Sequence, residues 1–254
     1  MISEKTKGQD TTVVVTALNE TWSLEKTIEV VIEENRPELK EIILVISPKK
    51  TTPECKDTVQ SIISKYGDIV RVHEQTKPHL GGAIAECFEI SKGKYTLIMA
   101  SDLETDPYLV KNLIAMSISQ KDVDIVTASR WLKVGSFSKY NMLKLILNYI
   151  FQKFFSYLYG VSLTDMTYGY RIFRTDIVNQ IYWKELKHPF FLESITKPIR
   201  LGYKIREIPA NWKSREEGES TITLKDYIGY FRVGFCVLFT PKRKLLKSKF
   251  SDYK

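Results

Sequence analysis

The sequence predicts an α/β fold, a mostly parallel sheet with helices on both faces. Short apolar runs alternate with amphipathic stretches through the first half of the chain. Proline and glycine punctuate the amphipathic stretches at the positions where helices begin and end. A chain of 254 residues with 43% hydrophobic content can bury one substantial core.

Taken in order, residues 12–18, 41–47, 69–73 and 95–100 read as the first four strands. Between the first two, residues 22–34 space Leu24, Ile28, Val31 and Ile32 at helical intervals and leave Glu25, Lys26, Glu29 and Glu33 for water. The second helix opens at Thr52, carries Pro53 in its first turn and ends near Gly67. Asp106 and Pro107 start a third helix over 108–119, where a cap is the expected role of Asp106. Residues 124–128 form a further strand, and 204–212 alternate around Pro209, which suggests a sheet edge. The sheet should hold about six strands.

The formal charge of +8 suits partners that offer phosphates, namely nucleic acid, anionic lipid or phosphorylated substrates. Much of the excess lies near the end, at Lys242, Arg243, Lys244, Lys247 and Lys249, and no helix-turn-helix spacing, zinc finger or RNA-binding aromatic pattern accompanies it. Membrane attraction is the better reading, with no nucleic acid expected. Cys55, Cys87 and Cys236 are odd in number and far apart, so neither a disulfide framework nor a zinc site is suggested. No apolar run reaches the roughly 18 residues that span a bilayer, and Met1 is followed by polar residues instead of a signal sequence.

Two stretches are amphipathic in an unusual way. Over 141–159, Lys144, Asn148, Gln152 and Ser156 form a narrow polar stripe, while Leu143, Ile146, Leu147, Ile150, Phe151, Phe154 and Phe155 fill the rest. Such a helix either buries nearly all round or lies in lipid. Over 226–239, Tyr227, Tyr230, Phe231, Phe235 and Phe239 precede the lysine cluster, a combination suited to lipid headgroups or, alternatively, to a core helix followed by solvated charge.

Ligands of an open parallel sheet bind beyond the carboxyl ends of its strands. There the sequence offers Asn19 and Glu20, Ser47, Ser101 with Asp102 and Glu104, and Ser129 with Arg130. Asp102 and Glu104 could aim two carboxylates at one hard cation, Mg²⁺ or Mn²⁺, or Asp102 could be a solvated loop acid. Gly81 and Gly82 could bring backbone N–H groups to a phosphate or form a simple tight turn. Arg130, Arg171, Arg174 and Arg215 are possible phosphate clamps or surface ion-pair residues. His73, His79 and His188 lack an acid or cysteine at catalytic spacing and read as structural.

On these motifs the chain resembles the family 2 glycosyltransferases of GT-A fold, and within them the dolichol-phosphate mannose synthase and polyprenyl-phosphate glycosyltransferase branch. The likeness covers residues 12–230. Its most specific part runs from Leu163 through Asp165, Thr167, Gly169 and Arg171 to Arg174, similar to that branch's D-x-T-S-G-F-R-x-F-R segment. Leu18-Asn19-Glu20, the Gly81 turn, Ser129-Arg130-Trp131, Glu193 and Arg215 to Ser220, read as R-x-x-G-x-S, support it.

The resemblance implies that Asp102 and Glu104 hold the metal and that Arg130, Arg171 and Arg215 meet diphosphate or the acceptor phosphate. Asn19, Glu20, Ser47, Gly81, Gly82 and Ser101 would lie near the nucleotide-diphosphate sugar donor. Asp165, Thr167, Glu193, Arg174 and Ser220 would serve the acceptor side. It implies an inverting, metal-dependent transfer to a polyprenyl phosphate from the cytoplasmic side of the membrane, with the protein peripheral to an anionic surface. The expected organisation is one glycosyltransferase domain over 1–224, with 141–159 a candidate interfacial helix, followed by an aromatic and basic membrane-surface tail over 225–254. Three positions depart from the pattern: Ala100 replaces the first acid of D-x-D, Ser47-Pro48-Lys49 replaces the base-reading acids, and Thr221 replaces a lysine. Transfer to a sugar hydroxyl in lipopolysaccharide or capsule assembly is the near alternative and needs a base, for which Asp165 and Glu193 are available. A silent nucleotide-binding protein is the distant one.

Overall fold

Seven strands form one mixed sheet in the order β3-β2-β1-β4-β6-β5-β7. The computed structural model describes residues 10–120, 122–133, 135–137, 142–213, 217 and 224–248, with 224–227 described by their backbone alone. The expected Arg215, Ser220 and Thr221 contributions lie outside the described residues.

Strands β1 (Thr11–Thr16), β2 (Leu39–Ile46), β3 (Val70–Glu74) and β4 (Tyr95–Ala100) are parallel neighbours. Helices α1 (Trp22–Asn35), α2 (Pro53–Tyr66) and α3 (His79–Ile90) connect them. A short 3₁₀ turn (Pro107–Leu109) leads into α4 (Val110–Ser119), then β5 (Ile125–Ser129) and α5 (Met142–Leu158). The chain continues through β6 (Arg171–Arg174), α6 (Thr175–Gln180), α7 (Phe190–Leu201), β7 (Ile205–Pro209), α8 (Leu224–Phe239) and α9 (Lys242–Leu245).

Alternate side chains of the central strands enter two separate cores, which is why these strands read as continuous apolar runs. Val13, Val15, Leu44 and Leu97 pack with Leu24 and Ile28 of α1, Val59 of α2 and Leu113 of α4. Val14, Ile43 and Ile98 pack with Ala83, Ile84 and Phe88 of α3 and with Phe173 and Phe190.

The helix punctuation holds. Thr52 Oγ1 accepts from the Cys55 N–H at 3.3 Å with Pro53 at the first helical position, and α2 stops at Gly67. Asp106 Oδ1 accepts from the Tyr108 N–H at 3.0 Å, so it caps the 3₁₀ turn as expected. Strand β7 is an edge strand with Pro209 at its end, also as expected.

The count of about six strands falls one short. The extra strand is β6, antiparallel to both β4 and β5, which is inserted between them and lies inside the segment singled out for chemistry. Its direction matters for the site: Arg171 pairs with Ile98 near the carboxyl end of β4, and Arg174 pairs with Tyr95 at the opposite end.

Candidate active site

The carboxyl ends of β1, β2, β4 and β5 converge on one rim, and their loops are tied together. Thr51 Oγ1 accepts from the Ser47 N–H at 2.8 Å and donates to Ala17 O at 3.2 Å, holding the β2 loop against the β1 loop. Glu20, almost buried, folds its carboxylate back to accept from the N–H groups of Leu18 and Asn19 at 2.7 and 3.1 Å. Ser101 Oγ donates to Thr16 O at 2.8 Å, joining β4 to β1. Asn19, Glu20, Ser47 and Ser101 are therefore brought to one place.

Asp102 and Glu104 stand beside them in a tight turn. Leu103 adopts a left-handed backbone, φ +58°, which an L side chain enters only at a cost of about 1–2 kcal/mol. That turn lets Asp102 Oδ1 accept the Glu104 N–H at 3.0 Å. Glu104 Oε1 accepts the indole N–H of Trp212 at 2.7 Å, and its carbonyl accepts the Tyr168 hydroxyl at 3.2 Å. Among the described residues no group of three or more His, Cys, Asp or Glu gathers as a metal cluster. Two hard carboxylates nevertheless fit Mg²⁺ or Mn²⁺, which bind one or two protein carboxylates and complete the shell with waters and phosphates.

Arg130 brings a cation to this rim. Its Nε and Nη2 donate to Asp165 Oδ2 and Oδ1 at 2.7 and 2.9 Å, a two-pronged pair in which Asp165 is fully buried. Burial opposes the charge, yet the adjoining Asp165 carboxylate outweighs it and holds the guanidinium protonated above its ordinary range. The guanidinium lies over the Tyr168 ring at 4.7 Å and the Phe137 ring at 5.9 Å. Trp131, next in sequence, stacks within 4.6 Å of Phe137 and 5.3 Å of Tyr149 on α5.

Asp165 also accepts from the N–H groups of Thr167 and Tyr168, at 3.4 and 3.1 Å. Its own loop is held by Glu207 of β7, which accepts from the backbone of Thr164 and Asp165 at 2.8–2.9 Å. Burial raises the Glu207 carboxyl above its usual range against those bonds. Sequence reading missed this support, as it missed Trp212, Gln152 and Glu217. Glu217 reaches back to accept from the Thr21 and Ser23 N–H groups at 2.9 and 3.0 Å, capping α1 from 194 residues away. The regular alternation along β7 and the polar stripe of α5 were the only signals for Glu207 and Gln152.

Other expected contributors stand elsewhere. Arg171 is completely buried and donates to Thr127 Oγ1, Met166 O, Phe191 O and Ser194 Oγ at 2.6–3.2 Å. These protein groups hold it behind the site, and burial pushes its pKa down to about 10. Arg174, at the far end of β6, is shared by Asp124 and Asp176. Gly81 and Gly82 both donate their N–H groups to Leu186 O, at 2.7 and 3.3 Å, so the glycine pair serves close backbone packing. Glu193 is buried in an ion pair with Lys197 at 2.8 Å and accepts from the Lys184 and Glu185 backbone. His73 does have an acid partner, Glu86 Oε2 at 2.9 Å, in a structural contact at the sheet's outer edge.

The polarity of α5 is inverted. The later part of its polar stripe faces the protein, with Gln152 2% exposed and Ser156 7%, while Asn148 is half-buried and Lys144 exposed. Much of its apolar surface faces outward: Met142 is 68% exposed, Leu143 66%, Leu147 58%, Ile150 57% and Tyr157 89%, while Phe155 is fully buried with Phe151 packed against it. Beside it α8 buries Tyr230, Val233 and Val237 and exposes Ile228, Phe231, Phe235 and Phe239. Phe154 bridges the two helices at 6.1 Å from Phe235 and 6.4 Å from Phe231, and the exposed cations Lys242, Arg243 and Lys244 follow. Val233, Val237, Leu245 and Leu246 pack on Ile177, Ile181 and Leu201, so this stretch is built into the body. No helix among the described residues is long and apolar enough to cross a membrane.

Residues 12–182 match the family model described as glycosyl transferase family 2. An undecaprenyl-phosphate mannosyltransferase of Micrococcus luteus is 27% identical over 158 residues, 60% of this chain and 64% of that protein. A polyprenol monophosphomannose synthase of Mycolicibacterium smegmatis is 23% identical over 158 residues, 60% of this chain and 59% of that one. The chain spans less than two thirds of the length of these curated relatives. Among solved structures, glucosyl-3-phosphoglycerate synthase from Mycobacterium tuberculosis in complex with Mn²⁺, uridine diphosphate and phosphoglyceric acid has a TM-score of 0.68 at 15% identity, covering 92% of this chain and 80% of that one. The same synthase with Mg²⁺ and uridine diphosphate gives 0.65 at 17%, covering 92% and 81%. At such identities the likeness is one of fold, and the fold is GT-A.

Proposed function

The chain belongs to glycosyl transferase family 2, and from that premise we propose that it transfers a sugar from a nucleotide-diphosphate donor to a polyprenyl phosphate at the cytosol-facing surface of a membrane. The observation that carries this reading is the inverted α5. An apolar face of that extent is stable against lipid, and the same helix borders the loop that holds Arg130. The curated relatives named for polyprenyl-phosphate substrates support the same acceptor.

The acids support it as well. A sugar hydroxyl needs a base to remove its proton, whereas a phosphate monoester is already anionic and attacks unaided. Asp165 is committed to Arg130 and Glu193 to Lys197, so both acids named for a base role are engaged in ion pairs. In the proposed step an acceptor phosphate oxygen forms the bond to the anomeric carbon as the bond to the diphosphate breaks. The electron pair leaves with the nucleoside diphosphate, no proton moves, and the anomeric configuration inverts.

Asp102 and Glu104 would hold Mg²⁺ or Mn²⁺, which when bound shares the negative charge gathering on the departing diphosphate. Arg130, fixed in place by Asp165, Tyr168 and Phe137, offers a preorganised positive charge to the phosphates. Asn19, Glu20, Ser47 and Ser101 line the rim on which the nucleotide would rest.

The test is a product analysis. Purified protein with Mg²⁺ or Mn²⁺ is given GDP-mannose, UDP-glucose and related donors, with either undecaprenyl phosphate or free oligosaccharide as acceptor. The expected product is a lipid-phosphate sugar of inverted anomeric configuration, seen by mass spectrometry and NMR. Transfer to the oligosaccharide alone, or turnover indifferent to chelator, would count against the reading.

A further inference from the structure

Gln152 sits at the middle of α5 on the face turned toward the body, and its carboxamide is fully engaged. Oε1 accepts the Met166 N–H at 2.7 Å, while Nε2 donates to Asn148 Oδ1 and to Thr167 Oγ1, both at 2.7 Å. The orientation of this amide is forced. A backbone N–H can only donate, so the carbonyl oxygen must face Met166 and the NH₂ group must face Thr167.

Thr167 Oγ1 also receives Nη2 of Arg130 at 3.5 Å. A hydroxyl has two lone pairs and one hydrogen. With both lone pairs occupied, the hydrogen of Thr167 remains for donation to a third group, and Thr167 is only half-buried. The Thr167 hydroxyl and the Arg130 guanidinium thus form neighbouring donors suited to one anionic oxygen. Reversing the Gln152 amide, or replacing it by an acceptor, would turn that hydrogen inward.

The opposite side of the same turns of α5 carries Leu147 and Ile150, both exposed. A helix moves as a unit over one or two turns, so seating this face on lipid also sets the position of Gln152. We propose that Gln152 is a positioning residue that fixes the Thr167 hydroxyl as a donor to the acceptor's phosphate and links that geometry to the seating of α5 on a lipid surface. The inference rests on the prenyl-phosphate reading above and names a residue and a linkage which that reading does not require.

Gln152→Glu is the informative variant because it keeps the size and the bond from Met166 but presents an oxygen to Thr167. With citronellyl phosphate as acceptor, KM for the acceptor should rise about tenfold or more, the usual worth of a hydrogen bond to a charged group. KM for the nucleotide sugar should stay at its wild-type value, although the buried carboxylate lowers the melting temperature. Thr167→Val should raise the acceptor KM similarly, and the double variant should add little. Phosphatidylglycerol vesicles should raise wild-type turnover of citronellyl phosphate but not that of Gln152→Glu, although both proteins sediment equally with the vesicles.

A Gln152→Glu enzyme with wild-type acceptor KM and wild-type vesicle response overturns the proposal. So does a variant that loses stability and donor affinity in parallel, since that marks a structural role alone. If the wild-type protein uses sugar hydroxyls and ignores prenyl phosphates, the functional reading falls and this inference with it. If the wild type uses prenyl phosphate and the variant matches it, the inference alone fails.

Discussion

Trp212 donates its indole hydrogen to Glu104 Oε1 at 2.7 Å, so the segment after the edge strand β7 is hydrogen-bonded to the acid expected to hold a metal. Phe137 also bridges to Trp212 through the backbone, with their rings 6.2 Å apart. Any cation drawn to Asp102 and Glu104 therefore perturbs a tryptophan whose emission can be watched. Adding Mg²⁺ with uridine or guanosine diphosphate should shift the protein's fluorescence, and Trp212→Phe should remove most of that shift. Asp102→Asn should weaken the metal-dependent binding of the nucleotide at least about tenfold, or ~1.4 kcal/mol. Calorimetry showing equal affinity for the variant and the wild type would exclude Asp102 as a ligand.

The Arg130–Asp165 pair makes a stability prediction as well as a functional one. Asp165→Asn leaves a buried guanidinium without its counter-charge, which costs about 3–5 kcal/mol. The denaturant midpoint should fall accordingly. Replacing Arg130 as well, in Arg130→Met with Asp165→Asn, removes the unpaired charge and keeps an oxygen for the Thr167 and Tyr168 N–H groups, so it should recover much of the stability while leaving no transfer activity. Recovery of activity in the double variant would show that the cation takes no part in the reaction.

The outward face of α5 can be tested without touching the core. Leu147→Glu and Ile150→Glu each place a charge where an apolar side chain stands about half exposed or more. If this face lies in lipid, the two changes together forfeit roughly 2–4 kcal/mol of apolar burial and lower vesicle affinity at least tenfold. The melting temperature in solution should hold, because neither side chain is packed. Flotation with phosphatidylglycerol vesicles separates these outcomes, and wild-type flotation by the double variant would remove α5 as the lipid-binding element.

The sheet was legible because β1, β2 and β4 bury both faces, and a run such as Val13 to Val15 has few alternatives. The caps at Thr52 and Asp106 were legible because they act within three residues. Strand β6 escaped because its four residues belong to a motif that reads as chemistry, and a short strand between longer neighbours has no periodicity of its own. The supports of the site escaped for a different reason. Glu207 acts on Thr164 and Glu217 on Thr21, and no local spacing encodes a partner 43 or 196 residues away. For α5 the sequence gives two faces but not which medium each meets. A stripe of Asn148, Gln152 and Ser156 is an exterior in water and an interior against lipid.

Glu86 predicts a pH dependence. Burial tends to raise its pKa, but hydrogen bonds from Thr76, His73 and the Lys77 N–H outweigh this and hold it below the ordinary value of 4.5. A depressed carboxyl pKa contributes stability that is present above the unfolded value and is lost as pH falls through the folded one. Urea midpoints should therefore fall below about pH 4.5. Gln at this position removes the charge at every pH, so Glu86→Gln should be less stable at pH 7 and show a flatter acid limb. Parallel curves for the two proteins between pH 3 and 7 would mean that Glu86 contributes nothing to that limb.

Gly81 distinguishes a packing role from a phosphate-binding one. A Cβ there would stand 2.6 Å from Glu185 O, 2.7 Å from Phe190 Cβ and 2.9 Å from Leu186 C. Two of these atoms are backbone and cannot swing aside, so Gly81→Ala must push the 185–190 segment away from α3. Overpacking of this kind costs about 1–3 kcal/mol. The expected result is a lower melting temperature with the nucleotide affinity of the remaining folded protein unchanged, since both N–H groups of the glycine pair already serve Leu186. A phosphate cradle at the start of α3 would give the reverse: near-normal stability and a loss of nucleotide binding.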